Sequence, residues 1–294
     1  MEDNMLYSEI FKSLAGEGHY TGYPSLWLRT FYCNLTCAGF GQPDPTNKET
    51  YNPVGKDVNL IDIKDITDLP VFKYGCDSAY SVAKEFKHLQ YDETPEQIAE
   101  RLDALLPTHG VWSNEDYDFH MVFTGGEPLL KKTQKGLVEL FDLWSRREDG
   151  SRPKFITFET NGTQKITPEL AQRLNSSWIE EVLFSYSPKL FTVSGESNKR
   201  AVKPEIIQHN IDAVDRSAYT LKFVVNGQDA AWNELDDVIN QIGLGKKHVW
   251  IMAVGGRVED QELSAGDIAN RAIDQGYKVS ARVHSYLWGN TPGT

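Results

Sequence analysis

PSLWLRTFYCNLTC, residues 24–37, runs a short apolar strand directly into a pair of cysteines. PSLWLRTF (24–31) has the length and residue types of a buried strand, and Cys33 and Cys37 follow it with three residues between them. The same strand character returns in FHMVFT (119–124), KFITFET (154–160), EVLFSYS (181–187), YTLKFVV (219–225), HVWIMAV (248–254) and YKVSARV (277–283). Amphipathic helices are expected between them. TPEQIAERLDALL opens on Thr94 with Gln97 in capping-box position, and ITPELAQRLN carries Pro168 in its first turn. LLKKTQKGLVELFDLWSRR, KPEIIQHNIDAV, DAAWNELDDVINQI and SAGDIANRAIDQ complete the set. This alternation predicts an α/β fold with a mostly parallel sheet and covering helices, either an open sheet or a full or partial β/α barrel. In each case ligands sit beyond the carboxyl ends of the strands, which is where Cys33 and Cys37 fall.

Further polar groups fall at the same rim. FTGGEPLL (123–130) puts Gly125, Gly126 and Glu127 after one strand, FETNGT (158–163) puts Glu159 and Asn161 after the next, and SYSPKL (185–190) adds Ser187 and Lys189. Glycines admit a close backbone approach, and a carboxylate such as Glu127 could hold an ammonium group. Each piece alone is an ordinary turn; three in succession on one rim point to a ligand site.

With 294 residues, 40% apolar and 24% charged, the chain can bury a full core. Its net charge of -12 repels a phosphate backbone, so direct nucleic acid binding is not expected. MEDNMLYSEI at the N-terminus has neither a basic region nor an apolar core, and no apolar run reaches a membrane span; a cytoplasmic protein is expected. Three cysteines are too few for a disulfide framework. Three thiolates on a cubane iron-sulfur cluster would leave one iron free to bind a small molecule. A zinc site completed by His19 or His88, and three inert thiols, are the alternatives. Residues 38–75, rich in Asp, Pro, Asn and Lys, break the strand-helix pattern and read as an insertion or long loop.

In order, these elements resemble the radical S-adenosylmethionine enzymes, and among them the 7-carboxy-7-deazaguanine synthases. EIFKSLAGEGHYTGYPSLWLRTFYCNLTC (9–37) is similar to that family's opening, and TGGEP, ETNG, SPK and the terminal RVHSYLWGNTPGT (282–294) extend the likeness over nearly the whole chain. The family's loop continues with a third cysteine followed by Asp-Thr. Here that piece is displaced to Cys76-Asp77-Ser78-Ala79-Tyr80-Ser81. The resemblance implies one radical S-adenosylmethionine domain over 1–294, a partial, open β/α barrel with 38–75 inserted in its cluster loop. Loop-closure entropy grows slowly enough with length to allow the excursion.

Its further implications are residue-specific. Cys33, Cys37 and Cys76 would hold a [4Fe-4S] cluster and Ser78 a magnesium ion. Gly125, Gly126, Glu127, Glu159, Asn161, Ser187 and Lys189 would contact S-adenosylmethionine; Glu17, Arg29 and His284 would bind the substrate. The implied reaction takes a hydrogen atom from 6-carboxy-5,6,7,8-tetrahydropterin and contracts the ring with loss of ammonia, giving 7-carboxy-7-deazaguanine. No side chain need act as a strong acid or base. An electron donor such as a flavodoxin and a homodimer are implied as partners. A radical activase acting on a partner protein, and a noncatalytic scaffold, are the other functional classes. The chain departs from the family in Ala15, where a substrate-binding glutamine is usual, in Gly75, where an aromatic residue is usual and Tyr74 or Phe40 could stand in, and in WIMAVGG (250–256).

Overall fold

The computed structural model describes residues 4–56, 59, 62–289 and 291–294. Among them, strands β1 (Met5–Leu14), β2 (Pro24–Thr30), β3 (Tyr91–Glu93), β4 (His120–Gly125), β5 (Phe155–Thr160), β6 (Glu181–Tyr186), β7 (Ser217–Val225), β8 (Val249–Ala253) and β9 (Lys278–Val279) form one sheet ordered β3-β1-β2-β4-β5-β6-β7-β8-β9. β1 runs antiparallel to β2 and β3, and every other neighbouring pair is parallel. The edge strands β3 and β9 do not pair, so this α/β sheet is not a closed barrel. The helices are α1 (Pro95–Leu105), α2 (Lys131–Ser145), α3 (Pro168–Leu174), α4 (Phe191–Ser194), α5 (Asn198–Ala201), α6 (Pro204–Asp212), α7 (Asp229–Ile242), α8 (Val258–Glu262), α9 (Ala265–Asp274) and α10 (Val283–Trp288). No helix among the described residues is long and apolar enough to cross a membrane.

Alternation along the central strands sorts the residues into two faces. Phe123, Phe158 and Phe184 lie on the helix-covered face and stack in register across β4, β5 and β6, with ring centroids 5.1 and 5.8 Å apart. Leu137, Leu140, Phe141 and Trp144 of α2 belong to the same buried core. Each such side chain contributes about 1.5–3 kcal/mol by leaving water. The alternate residues Thr124, Glu159, Ser185 and Lys222 face a cavity that also takes Phe11 of β1, Arg29 of β2 and Met252 of β8, so the sheet curls around it.

The capping box at α1 forms as expected, with Thr94 Oγ1 accepting from Gln97 N at 3.3 Å and Gln97 Oε1 from Thr94 N at 3.0 Å. Sequence pattern missed β1, because its buried positions Ser8 and Glu9 bond to the site rather than to the core. YKVSARV forms a strand only at Lys278–Val279. Gly18 N then donates to Ser280 Oγ and Val283 N to the Gly16 carbonyl, drawing the chain off the sheet toward the β1–β2 connection and into α10. In the 38–75 segment, of which 57, 58, 60 and 61 lie outside the described residues, short 3-10 turns replace regular helices. Ile63, Leu69 and Phe72 pack with Tyr80, Phe86 and Leu89 into a small core of their own.

Candidate active site

A cavity of about 240 Å³ opens at the carboxyl ends of the parallel strands, and Cys33, Cys37 and Cys76 all line it. The long excursion ends beside its own beginning. Gly75 N donates to the Phe40 carbonyl at 2.8 Å, and an added Cβ on Gly41 would strike the Lys73 carbonyl. The two arms therefore close on each other within a few residues of Cys37 and Cys76. Gly75 adopts φ 83°, a left-handed conformation that disfavours an aromatic residue there. Past Cys76 the chain turns back on β1 and β2: Tyr32 N donates to the Ser81 carbonyl at 2.7 Å, and the Ser81 and Ser8 hydroxyls pair at 2.6 Å.

Burial pushes the Cys33 thiol up to about 11 and the Cys76 thiol up to about 12, and raises Cys37 well above its ordinary value. Lys189 opposes the shift at all three, and its ammonium donates to Ser187 Oγ at 2.8 Å and lies 5.9 Å from the Phe40 ring centre. Three thiols, Cys37 buried and Cys33 and Cys76 half-buried, that need positive charge to ionise match the donor set of an iron cluster. The zinc alternative lacks its histidine. The His88 ring bonds the Ile63 carbonyl at 2.7 Å, and His19 packs edge-on against Tyr20 away from this cavity. Among the described residues no three His, Cys, Asp or Glu side chains are grouped to hold a single metal ion; a cubane instead asks for one thiolate on each of three irons.

The glycines of TGGEP are accounted for by the chain itself. A Cβ on Gly125 would strike the Thr30 backbone and one on Gly126 the Tyr32 carbonyl, while Gly126 N and Glu127 N donate to the Thr30 and Tyr32 carbonyls at 3.0 and 2.9 Å. Both glycines still line the cavity. Glu127 does not. It is fully buried, with Oε1 accepting from Thr160 Oγ1 at 2.7 Å and Leu129 N at 3.0 Å, and Oε2 from Asn161 N at 2.8 Å. Burial raises its pKa, and those donors hold it partly in check. This carboxylate ties the β4 and β5 ends together. Asn161, thus fixed, points its Nδ2 at Asn34 Oδ1 (3.0 Å) and the Cys33 sulfur (3.7 Å). Glu159, Ser187 and Lys189 line the cavity, and Glu159 accepts from Thr124 Oγ1 at 2.9 Å.

Glu17, Arg29 and His284 line the cavity too, within a charge network that sequence reasoning only partly found. Glu17 Oε2 accepts from Lys222 Nζ at 2.5 Å, and Oε1 from Arg282 Nε at 2.9 Å. Arg282 also donates to Asp77 Oδ2 at 2.6 Å and the Gly255 carbonyl at 3.0 Å. Burial alone would raise Glu17; Lys222 and Arg282 overcome it and hold the carboxylate well below its usual range. Burial would lower Lys222 and Arg282, and the carboxylates of Glu159, Glu17 and Asp77 reverse that shift. Arg29 pairs with Glu9 at 2.5 Å, not Glu17, and its Nη1 donates to Ser78 Oγ at 3.0 Å. Ser78 Oγ in turn lies 3.3 Å from Asp77 Oδ1. Burial keeps His284 below its ordinary value and so neutral near pH 7. Its ring packs where a side chain at Gly16 would be. Lys222, Arg282, Asp77 and Glu9 were missed, although the lysine inside YTLKFVV, on the inward alternation of an apolar strand, was a readable signal. Ala15 faces a second void of about 20 Å³ below, shared with Glu17 and Glu159, rather than the main cavity.

Comparison with known proteins finds relatives over nearly the whole chain. The chain is 27% identical over 303 residues to 7-carboxy-7-deazaguanine synthase of Rhodopirellula baltica, covering 100% of this chain and 90% of that one. It is 25% identical over 304 residues to the protein of that name from Halobacterium salinarum (98% and 91% covered) and 23% identical over 293 residues to that from Thermoplasma acidophilum (98% and 100%). The crystal structure of QueE from Escherichia coli matches with a TM-score of 0.51 at 18% identity, over 96% of this chain and 95% of that one, a likeness of fold. No protein-family model matches.

Proposed function

We propose that the chain is a radical S-adenosylmethionine lyase that converts 6-carboxy-5,6,7,8-tetrahydropterin to 7-carboxy-7-deazaguanine, in 7-deazapurine biosynthesis. One observation carries the proposal: the three cysteines and the Glu17, Arg29, His284 group line a single cavity in a chain similar end to end to proteins of that name. Cys33, Cys37 and Cys76 hold a [4Fe-4S] cluster. When bound, the cluster and S-adenosylmethionine supply one-electron cleavage of the sulfonium, and with it a carbon radical able to take a hydrogen atom from the substrate.

The chain's own residues bind and orient. Gly125 and Gly126 leave backbone room at the β4 end for the methionyl group of the cofactor, and Glu127 acts indirectly by fixing Asn161. Glu159, Asn161, Ser187 and Lys189 offer the polar contacts for the rest of S-adenosylmethionine. Arg29 presents a guanidinium fork to the pterin carboxylate, and Glu17, held ionised by Lys222 and Arg282, accepts from the ring N–H groups. Neutral His284 can donate or accept one hydrogen bond beside Glu17. Asp77 and Ser78 present a carboxylate and a hydroxyl, the hard oxygens a magnesium ion takes, where the ion would neutralise developing negative charge. Residues 38–75 are an insertion in the cluster loop of a single 1–294 domain, acting in the cytoplasm as a homodimer fed by a flavodoxin-type electron donor.

The test is anaerobic reconstitution with iron and sulfide, followed by reaction with the tetrahydropterin acid, reductant and S-adenosylmethionine. Deazaguanine product is the expected result. Absence of cluster absorbance would overturn every radical reading, and cofactor cleavage without deazaguanine would favour an activase.

A further inference from the structure

Glu196, on the connection between α4 and α5, is assigned no role by the function proposed above. It is 2% exposed, and its Oε1 accepts three hydrogen bonds from the cluster loop: Thr36 N at 2.7 Å, Thr36 Oγ1 at 2.8 Å and Cys37 N at 3.0 Å. Its Oε2 faces Arg200 Nη1 at 3.4 Å, and Arg200 Nη2 donates to the Asn34 carbonyl at 2.6 Å. The Ser194 carbonyl accepts from Gly39 N at 2.9 Å, and a Cβ on Gly39 would come within 2.6 Å of the Ser194 backbone. The segment 194–200 thus grips the loop at Asn34, Thr36, Cys37 and Gly39. Cys37 itself sits at φ 49°, a left-handed conformation a cysteine adopts only when its surroundings hold it there.

We propose that Glu196 is a positioning residue that holds Cys37 in this conformation and lowers the reduction potential of the cluster. The proposal rests on the reading of Cys33, Cys37 and Cys76 as its ligands. The potential of an iron-sulfur cluster rises with hydrogen bonds to its sulfurs and falls with nearby negative charge. In this loop Leu35 N donates to the Cys33 sulfur at 3.4 Å, whereas the amides of Thr36 and Cys37 are turned away to a carboxylate. Glu196 therefore withholds two donors from the sulfurs and adds an anion beside Cys37. Both effects favour a strongly reducing cluster, which one-electron cleavage of a sulfonium requires.

Three reconstituted proteins test this by iron and sulfide content and by a dithionite titration followed by electron paramagnetic resonance. Glu196→Gln keeps an acceptor oxygen for the loop amides but removes the charge; it is expected to bind iron like wild type with its midpoint potential shifted upward. Arg200→Gln removes the cation facing Glu196 from a half-exposed position and is expected to shift the potential downward, which keeps the test available should Glu196→Gln load poorly. Glu196→Ala is expected to lose iron to a chelator faster than wild type. An unchanged potential in loaded Glu196→Gln, or shifts of the same sign in the Gln variants at 196 and 200, would overturn the proposal. Wild-type protein that takes up no cluster would instead remove the ligand reading on which it rests.

Discussion

Cys33, Cys37 and Cys76 meet on one wall of the cavity as thiols whose pKa values desolvation raises, while beside them Glu17, Lys222, Arg282 and Asp77 satisfy one another through contacts of 2.5, 2.9 and 2.6 Å. The sulfur wall gains little from its own members, since neighbouring thiols raise rather than relieve one another. Under the proposed function an iron cluster would complete its chemistry. The charged wall is self-sufficient, and a ligand entering it exchanges partners with groups that are already paired. Fold stability should therefore depend on the charged wall, and iron binding on the sulfur wall.

Cys76→Ala separates the two most sharply. It removes one donor of three and no hydrogen bond that ties the segment to β1 or β2, so bound iron should fall to background while thermal unfolding stays near that of wild type. A variant that keeps its iron would break the triad. Glu17→Gln should do the reverse to stability. It leaves Lys222 and Arg282 buried against a neutral amide, with an expected loss of about 3–5 kcal/mol at pH 7, read by denaturant unfolding. The folded-state pKa of Glu17 lies below its unfolded value, so its stabilisation is present above the unfolded value, about 4.3, and is lost as pH falls toward the folded one. Wild type should therefore lose stability on acidification more steeply than Glu17→Gln. Equal slopes would mean that Glu17 is not the ionised partner.

Gly126→Ala probes the hinge between the walls. Its Cβ would press on the Tyr32 carbonyl at the root of the cluster loop, so an overpacking loss of about 1–3 kcal/mol is expected together with slower iron uptake. A loss of stability with normal uptake would show that the β4 end and the cluster loop are independent.

What could be read from the sequence divides along the same line. The strands with outward phenylalanines, Phe123, Phe158 and Phe184, announced themselves because a helix-covered face is apolar at every second position. Cys33, Cys37 and the displaced CDSAYS were legible because a local pattern survives insertion. Glu9 and Arg282 were not, since each makes sense only against partners 20 or 265 residues away, and the lysine inside YTLKFVV was legible as a buried charge but not as the partner of Glu17, 205 residues away. Glu127 was legible as part of a motif, but its structural role was not, because its three donors come from Thr160, Leu129 and Asn161, which only the folded register brings around it. β1 escaped because its buried polar residues serve the site.

Ser78 stands where the two walls meet, and its replacement should have the smallest effect on the fold. Its hydroxyl accepts from Arg29 and lies beside Asp77, so Ser78→Ala should cost about 1 kcal/mol by denaturant unfolding. Arg29 retains Glu9 and Asp77 retains Arg282, which is why the loss stays small. If the hydroxyl is a magnesium ligand, turnover of Ser78→Ala should no longer rise when magnesium is added, whereas Ser78→Thr, which keeps the oxygen, should respond as wild type does. Iron content should be unaffected in both, because neither change touches a thiol. A magnesium response that survives in Ser78→Ala would move the ion off this hydroxyl and leave Ser78 as a link between Arg29 and Asp77.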